Sequence, residues 1–148
     1  MIPLFFPQET EQSCVPACLR MVLAHFGIHE DESSLRTCCR SSYLGTAFQD
    51  AAACVQSYQL KGDVVSGSSL NELMDWLGRG LFPIVSLNLF PLDARWAAHA
   101  VVIVAMTDEG VILLDPLVGR RQVDRMAFDQ AWLMRRRKTL LIGSLTIA

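Results

Sequence analysis

Nothing in this chain is long enough to cross a bilayer. Its most apolar stretches, residues 81–92 and 97–106, fall short of the roughly 20 residues a membrane helix needs, and the first contains Pro83 and Pro91. Residues 1–7 are apolar but lack the basic start and the length of a secretory signal. An excess of one charge is also missing: 13 basic residues face 15 acidic ones, so there is no electrostatic reason to expect nucleic acid or an anionic membrane as partner. The one basic run, Arg135-Arg136-Arg137-Lys138, is short and reads as a solvated loop before the last strand. Histidines number only three, and no cysteine or histidine pairs stand at zinc spacing, so no metal is expected. Cys18, one turn beyond Cys14, reads as a small core residue, as do Cys38, Cys39 and Cys54. Five cysteines are an odd count, which fits reduced thiols and a cytoplasmic location better than a disulfide framework. A phosphate-binding Gly-x-x-x-x-Gly-Lys-Ser/Thr run is absent.

What is present suits one domain over residues 1–148: 51% of the residues are hydrophobic and 19% charged, enough to bury a full core. Helical patterns come first and strand patterns later, which predicts an α+β fold. Pro16 fits a first helical turn, residues 17–26 lack glycine and proline, and Gly27 is a stop signal. Further helices are expected over 30–39, after Gly45 with Thr46 and Gln49 at capping-box spacing, from Ser69 with Glu72 at the same spacing, and over 125–133. Residues 84–89, 100–106, 111–114 and 139–147 read as strands, with Asp108-Glu109-Gly110 turning the middle two into a hairpin.

Cys14 therefore falls at a helix N-terminus, where unpaired N–H groups and the macrodipole favour an anion. Only the thiolate of a cysteine is a good nucleophile, and a neighbouring imidazolium would stabilise it. His99 is the one suitable histidine. His25 and His29 flank the far end of the same helix, about 16 Å or more from Cys14 at 1.5 Å per residue. Trp96, three residues before His99, is a candidate for the wall of a substrate cleft.

These residues resemble a family, the bacteriocin-processing, double-glycine-leader peptidases, which are papain-like cysteine peptidases often fused to export transporters. Cys14-Val15-Pro16-Ala17-Cys18-Leu19 is similar to the family's Cys-Gly-Pro-Ala-Cys-Leu, and His99 before Ala-Val-Val-Ile-Val is similar to its histidine before an apolar strand. Asp115-Pro116 with Gly119 matches Asp-Pro-x-x-Gly, and Gln8 stands six residues before Cys14, as the family's glutamine does. The resemblance spans nearly the whole chain. It implies a papain-like fold with N-terminal helices packed on an antiparallel sheet, Cys14 as nucleophile, His99 as base and Asp115 as the group that orients it. Gln8 would help form the oxyanion hole, with Gln12 as the alternative donor. Ser13 and Val15 depart from the family's common Asp and Gly: Ser13 can still cap the helix, while Val15 places a side chain beside the nucleophile and changes what the cleft accepts.

A three-residue hairpin loop would put Asp115 opposite Ile103, on the same sheet face as His99 but four residues away, roughly 13 Å along the strand. A bulge, a twist or another loop register must close that gap. The implied activity is cleavage of peptide bonds through an acyl-enzyme, removing leader segments from small precursors, with no cofactor. The implied partners are a peptide substrate and a separate export transporter, the chain itself being a standalone member. A leader-binding module without catalysis, and a papain-like acyltransferase or deamidase, are the alternatives.

Overall fold

The longest strand, β3 (Ala98–Thr107), is buried over six consecutive residues, His99 to Val104. Such a run needs cover on both faces of a sheet, and the fold supplies it. The structure is a computed structural model that describes residues 1–145. Before β3 come α1 (Cys14–His25), α2 (Glu32–Cys38), α3 (Phe48–Gln56), β1 (Leu60–Val65), α4 (Leu70–Gly78), β2 (Ile84–Asn88) and α5 (Phe90–Asp93). After it come β4 (Gly110–Asp115), β5 (Gly119–Val123), α6 (Arg125–Leu133) and β6 (Thr139–Ser144). The six strands form one sheet in the order β1-β6-β2-β3-β4-β5, and each neighbouring pair is antiparallel.

Alternation along β3 divides the core in two. Ala100, Val102 and Val104, with Ile84, Leu114, Leu140 and Ile142 from neighbouring strands, meet Cys18, Leu19, Val22, Leu35 and Val55 of α1–α3. Val101 and Ile103, with Val85, Leu87 and Leu113, meet Leu73 of α4 and Phe128 and Trp132 of α6. The expected α+β architecture, with N-terminal helices on an antiparallel sheet, is therefore the observed one, and α4 and α6 cover the opposite face. Helix α1 ends as its sequence predicts: Gly27 adopts φ +81°, and Ile28 N–H donates back to Leu23 O at 2.9 Å. The capping box of α4 forms between Ser69 and Glu72, and α6 has the expected bounds.

Several expectations need correction. The Asp108-Glu109-Gly110 loop is shorter than three residues, because Gly110 already pairs with Thr107. Thr46 does not cap α3: Ala47 holds the N-cap position and the Thr46 hydroxyl is paired with that of Ser41. Ser13 stands at the N-cap of α1 without bonding the helix, since its hydroxyl accepts from Thr10 N–H and donates to Thr10 O. Cys38 and Cys54 are not free thiols but a disulfide joining α2 to α3, with Cα atoms 5.5 Å apart. An odd cysteine count says nothing about which two the helix packing brings together. Cys14, Cys18 and Cys39 are free. The final strand stops at Ser144, and residues 146–147 of the expected strand lie outside the described residues.

Gly62 in β1 lies where α3 packs closely on the sheet. A Cβ there would lie 2.7 Å from Val55 Cγ2 and 2.8 Å from Ala52 O of α3. Gly62→Ala is expected to overpack this contact and to destabilise the fold by about 1–3 kcal/mol. The check is a lowered denaturant midpoint with an unchanged slope. An unchanged midpoint would mean that α3 can move off the sheet at no cost.

Candidate active site

Cys14 is the first residue of α1, half-buried, with its backbone N–H among the first-turn groups that have no intrahelical acceptor. Behind it, residues 17–19 and 21–23 are fully enclosed, so the core holds the helix and the helix end carries the thiol to the rim. His99 lies near the start of β3 and Asp115 at the end of β4. Their side chains keep only 4% and 2% exposure, and His99 Nε2 lies 2.6 Å from Asp115 Oδ1. The other imidazole nitrogen, Nδ1, is thereby left to face Cys14, whose thiol is one of the groups that shift the His99 pKa.

Two local shifts in the β3–β4 ladder bring the histidine and aspartate together. The short hairpin moves the register by one residue. A bulge between Ile103 and Ala105 moves it by one more, so that Val102 pairs with Leu114. One step further, Asp115 falls across from Val101, two residues from His99 rather than four. Diagonal neighbours two residues apart across a sheet lie about 7–8 Å apart at their Cα atoms, within side-chain reach.

Electrostatics follow from this geometry. Burial opposes a charge on His99, but its hydrogen bonds to Asp115 and Cys14 prevail and the imidazole pKa is raised to about 9. Burial likewise pushes the Asp115 carboxyl up, and the His99, Leu117 N–H and Arg121 contacts outweigh it to hold the carboxyl below its ordinary range. Cys18, enclosed beneath Cys14, has a thiol pushed well up by burial and then by the negative charge of Cys14 and Asp115, which suits a core residue. Cys39 is raised to about 12 by burial and by Asp50.

Cys14 and His99 open onto a cleft of about 840 Å³. Val15 and Trp96 line it, as does Gln12. Trp96 is 70% exposed and stacks on Phe90 with ring centroids 4.4 Å apart. Gln8 is placed differently. Its backbone N–H donates to Pro116 O at 2.9 Å, which ties it to the turn after Asp115, but its side-chain amide donates to the carbonyls of Thr10 and Glu11 at 2.8 and 3.2 Å. The Gln8 Oε1 is buried without a hydrogen-bond partner.

The sequence gives no signal for three other parts of the site. Arg135 and Lys138, from the run expected to be a solvated loop, line the cleft, and Arg135 Nε bonds Ser86 Oγ at 3.1 Å. Residues 44–49, which lead into and begin α3 between the two disulfide cysteines, line it too. Arg121 reaches Asp115 Oδ2 at 3.1 Å. Among the described residues no group of three His, Cys, Asp or Glu side chains is placed to hold a metal ion, and no helix is long and apolar enough to cross a membrane.

A thiol at a helix N-terminus, facing a histidine whose far nitrogen is held by an aspartate from a neighbouring antiparallel strand, belongs to the papain-like class of cysteine peptidases. The sequence matches the Peptidase C39 family over residues 4–140, and the chain belongs to that family of cysteine peptidases. Among solved structures it is similar to the peptidase domain of Streptococcus ComA, a bi-functional ABC transporter of a quorum-sensing pathway. That match has a TM-score of 0.79 and 18% identity, covering 94% of this chain and 96% of the other. A double glycine motif protease from an AMS/PCAT transporter, solved with its leader peptide, matches with TM-score 0.79 and 18% identity over 96% and 91% of the two chains. A C39-like peptidase from Bacillus anthracis matches with TM-score 0.81 and 18% identity over 97% and 96%. No curated protein matches the sequence.

The raised pKa of His99 sets a measurable titration. The imidazole is expected to keep its proton through neutral pH and release it near pH 9, read from its ring nitrogens by NMR. In Asp115→Asn the partner charge is gone and burial acts against the imidazolium, so release should move down by more than one pH unit. Because the folded state raises this pKa above the unfolded value, the stabilisation is complete below about pH 6.5 and fades as the pH rises through about 9. Release near 6.5 in the parent protein would contradict the buried pair.

Proposed function

We propose that this chain is a peptidase that removes double-glycine-type leader segments from small peptide precursors, with Cys14, His99 and Asp115 as its catalytic residues. The observation that carries the reading is the buried Asp115–His99 hydrogen bond with Cys14 beside His99 on the edge of a peptide-sized cleft. The reacting form is the Cys14 thiolate paired with the protonated His99, and the thiolate attacks the scissile carbonyl carbon. The tetrahedral oxyanion collapses, the C–N bond breaks, and the imidazolium gives its proton to the leaving amine. Neutral His99 then takes a proton from water, whose oxygen attacks the thioester. Cys14 leaves as thiolate, and the acid product and the starting pair are restored. Asp115 holds Nε2 throughout, so that Nδ1 always faces the sulfur.

The oxyanion would rest on the Cys14 backbone N–H and one glutamine amide. Gln8 serves in this reading, turning its amide away from the Thr10 and Glu11 carbonyls when a substrate carbonyl arrives. Val15 narrows the cleft beside the nucleophile, and Trp96 supplies an aromatic wall for an apolar substrate side chain. The leader preference is supported by the neighbour solved with a leader peptide, and an export transporter as partner by the two neighbours that are parts of transporters.

Incubation with synthetic precursors containing a Gly-Gly leader junction tests the reading by mass spectrometry. The parent is expected to release the leader, and Cys14→Ala to release none. Normal cleavage by Cys14→Ala would end the proposal, and a mass gain on an added amine in place of hydrolysis would redirect it to acyl transfer. Gln8→Ala is expected to lower kcat by about 100-fold to 1,000-fold, the usual cost of one oxyanion donor. Gln12→Ala should stay near the parent rate, and the reverse pattern would assign the donor to Gln12.

A further inference from the structure

The contact with His99 uses only one oxygen of Asp115. Oδ1 accepts from His99 Nε2 at 2.6 Å and from Leu117 N–H at 2.9 Å, while Oδ2 accepts from Arg121 Nη1 at 3.1 Å. The same guanidinium grips a second carboxylate, Nη1 donating to Asp93 Oδ2 at 3.0 Å and Nη2 to Asp93 Oδ1 at 2.7 Å. A carboxylate held at one oxygen can turn about its Cβ–Cγ bond, whereas one held at both cannot. Only a planar fork of donors serves two carboxylates in this way; an ammonium group would have to choose.

Asp93 is the last residue of α5, followed by Ala94 in the left-handed region at φ +54°. Leu89 N–H donates to Ala97 O at 2.9 Å and closes this segment on itself, with Trp96 stacked on Phe90 along the cleft. Arg121 thus joins the aromatic wall to the carboxylate behind His99. The titratable groups around Asp115 are His99 on β3, Arg121 on β5, Asp93 on α5, and Cys14 and Cys18 on α1. Cys18 stays protonated because it is buried. When His99 is charged, two cations therefore balance Asp115 and Asp93.

We propose that Arg121 is a positioning residue of this peptidase: it locks the second oxygen of Asp115 so that the first stays on His99, and through Asp93 it sets the stance of the Trp96 wall. The inference rests on the reading of His99 and Asp115 as the catalytic pair. Asp93 takes up part of the positive charge that Arg121 would otherwise direct at Asp115 alone.

The test compares Arg121→Met, Arg121→Lys, Asp93→Asn and the Arg121→Met/Asp93→Asn double variant. Two readouts are used: cleavage of a synthetic Gly-Gly leader peptide as a function of pH, and the NMR titration of the His99 ring, which needs no turnover. Arg121→Met is expected to lower kcat by about 10-fold and to move the acid limb of kcat/KM up by about one pH unit, as loss of a guanidinium beside a carboxylate does. The double variant removes both charges and should bring that limb part of the way back. Arg121→Lys keeps the charge, so its limb stays near the parent's while KM rises with the freed wall. Asp93→Asn should raise KM more than it lowers kcat.

Loss of activity in Arg121→Met with the acid limb and the His99 titration both unmoved would overturn the proposal and leave Arg121 a structural prop. Should Arg121→Met fail to fold, an Arg121→Lys protein with parental KM would overturn the link to the wall. If the parent cleaves no Gly-Gly peptide but the His99 titration still responds to Arg121→Met, the positioning role stands and the substrate reading falls.

Discussion

A buried carboxylate must have every lone pair answered, and much of this site is arranged around that requirement at Asp115. His99, the Leu117 N–H and Arg121 share its two oxygens, and the Gln8 N–H closes on the carbonyl of the next residue, Pro116. Removing His99 or Arg121 leaves the carboxylate short of a donor in a place with 2% exposure. The imidazole is held by the same contact, since a ring with Nε2 engaged has only Nδ1 to offer Cys14. Orientation and charge are thus set together by one bond between neighbouring strands.

Much of the cleft wall, by contrast, comes from the segments that connect the helices and strands. Residues 44–49 sit in a loop closed by the Cys38–Cys54 disulfide and by the Ser41–Thr46 hydroxyl pair. Residues 89–97 are closed by the Leu89–Ala97 bond and anchored through Asp93. Residues 134–138 turn back through two left-handed positions, Arg136 and Arg137, fastened by the Arg137–Asp129 ion pair and by Trp132 Nε1 on Lys138 O. Each loop is tied at its base, so the His99–Asp115 pair on a rigid sheet faces walls whose shape is also defined. Such an arrangement suits recognition of an extended peptide by several side chains at once.

Elements with a strong local signal were legible in the sequence. Residues 14–25 and 70–78 carry helical periodicity bounded by cap and stop residues, and β2, β3 and β4 are mostly apolar, which points to burial on both faces of a sheet. The edge strands were not. β1 contains Lys61, Gly62 and Asp63, and β5 contains Arg120, Arg121 and Gln122; half of each faces outward, and only pairing with a neighbour makes them strands. The capping spacing at Thr46 misled because a second hydroxyl, Ser41, competes for that side chain.

The candidate site divides along the same line. The order and spacing of Gln8, Cys14, His99 and Asp115 carried the resemblance that identifies a cysteine peptidase, and a helix start places the Cys14 thiol at unpaired N–H groups. Only the tertiary structure decided how those groups meet. The two-residue register shift in β3–β4, the Cys38–Cys54 pairing, the inward turn of Arg135 and Lys138 and the bridge from Arg121 to Asp115 and Asp93 all join residues far apart in sequence. Local preference carries no information about such contacts, which arise when both faces of one sheet are packed and buried polar groups, apart from Gln8 Oε1 and Glu32 Oε2 among the described residues, find hydrogen-bond partners.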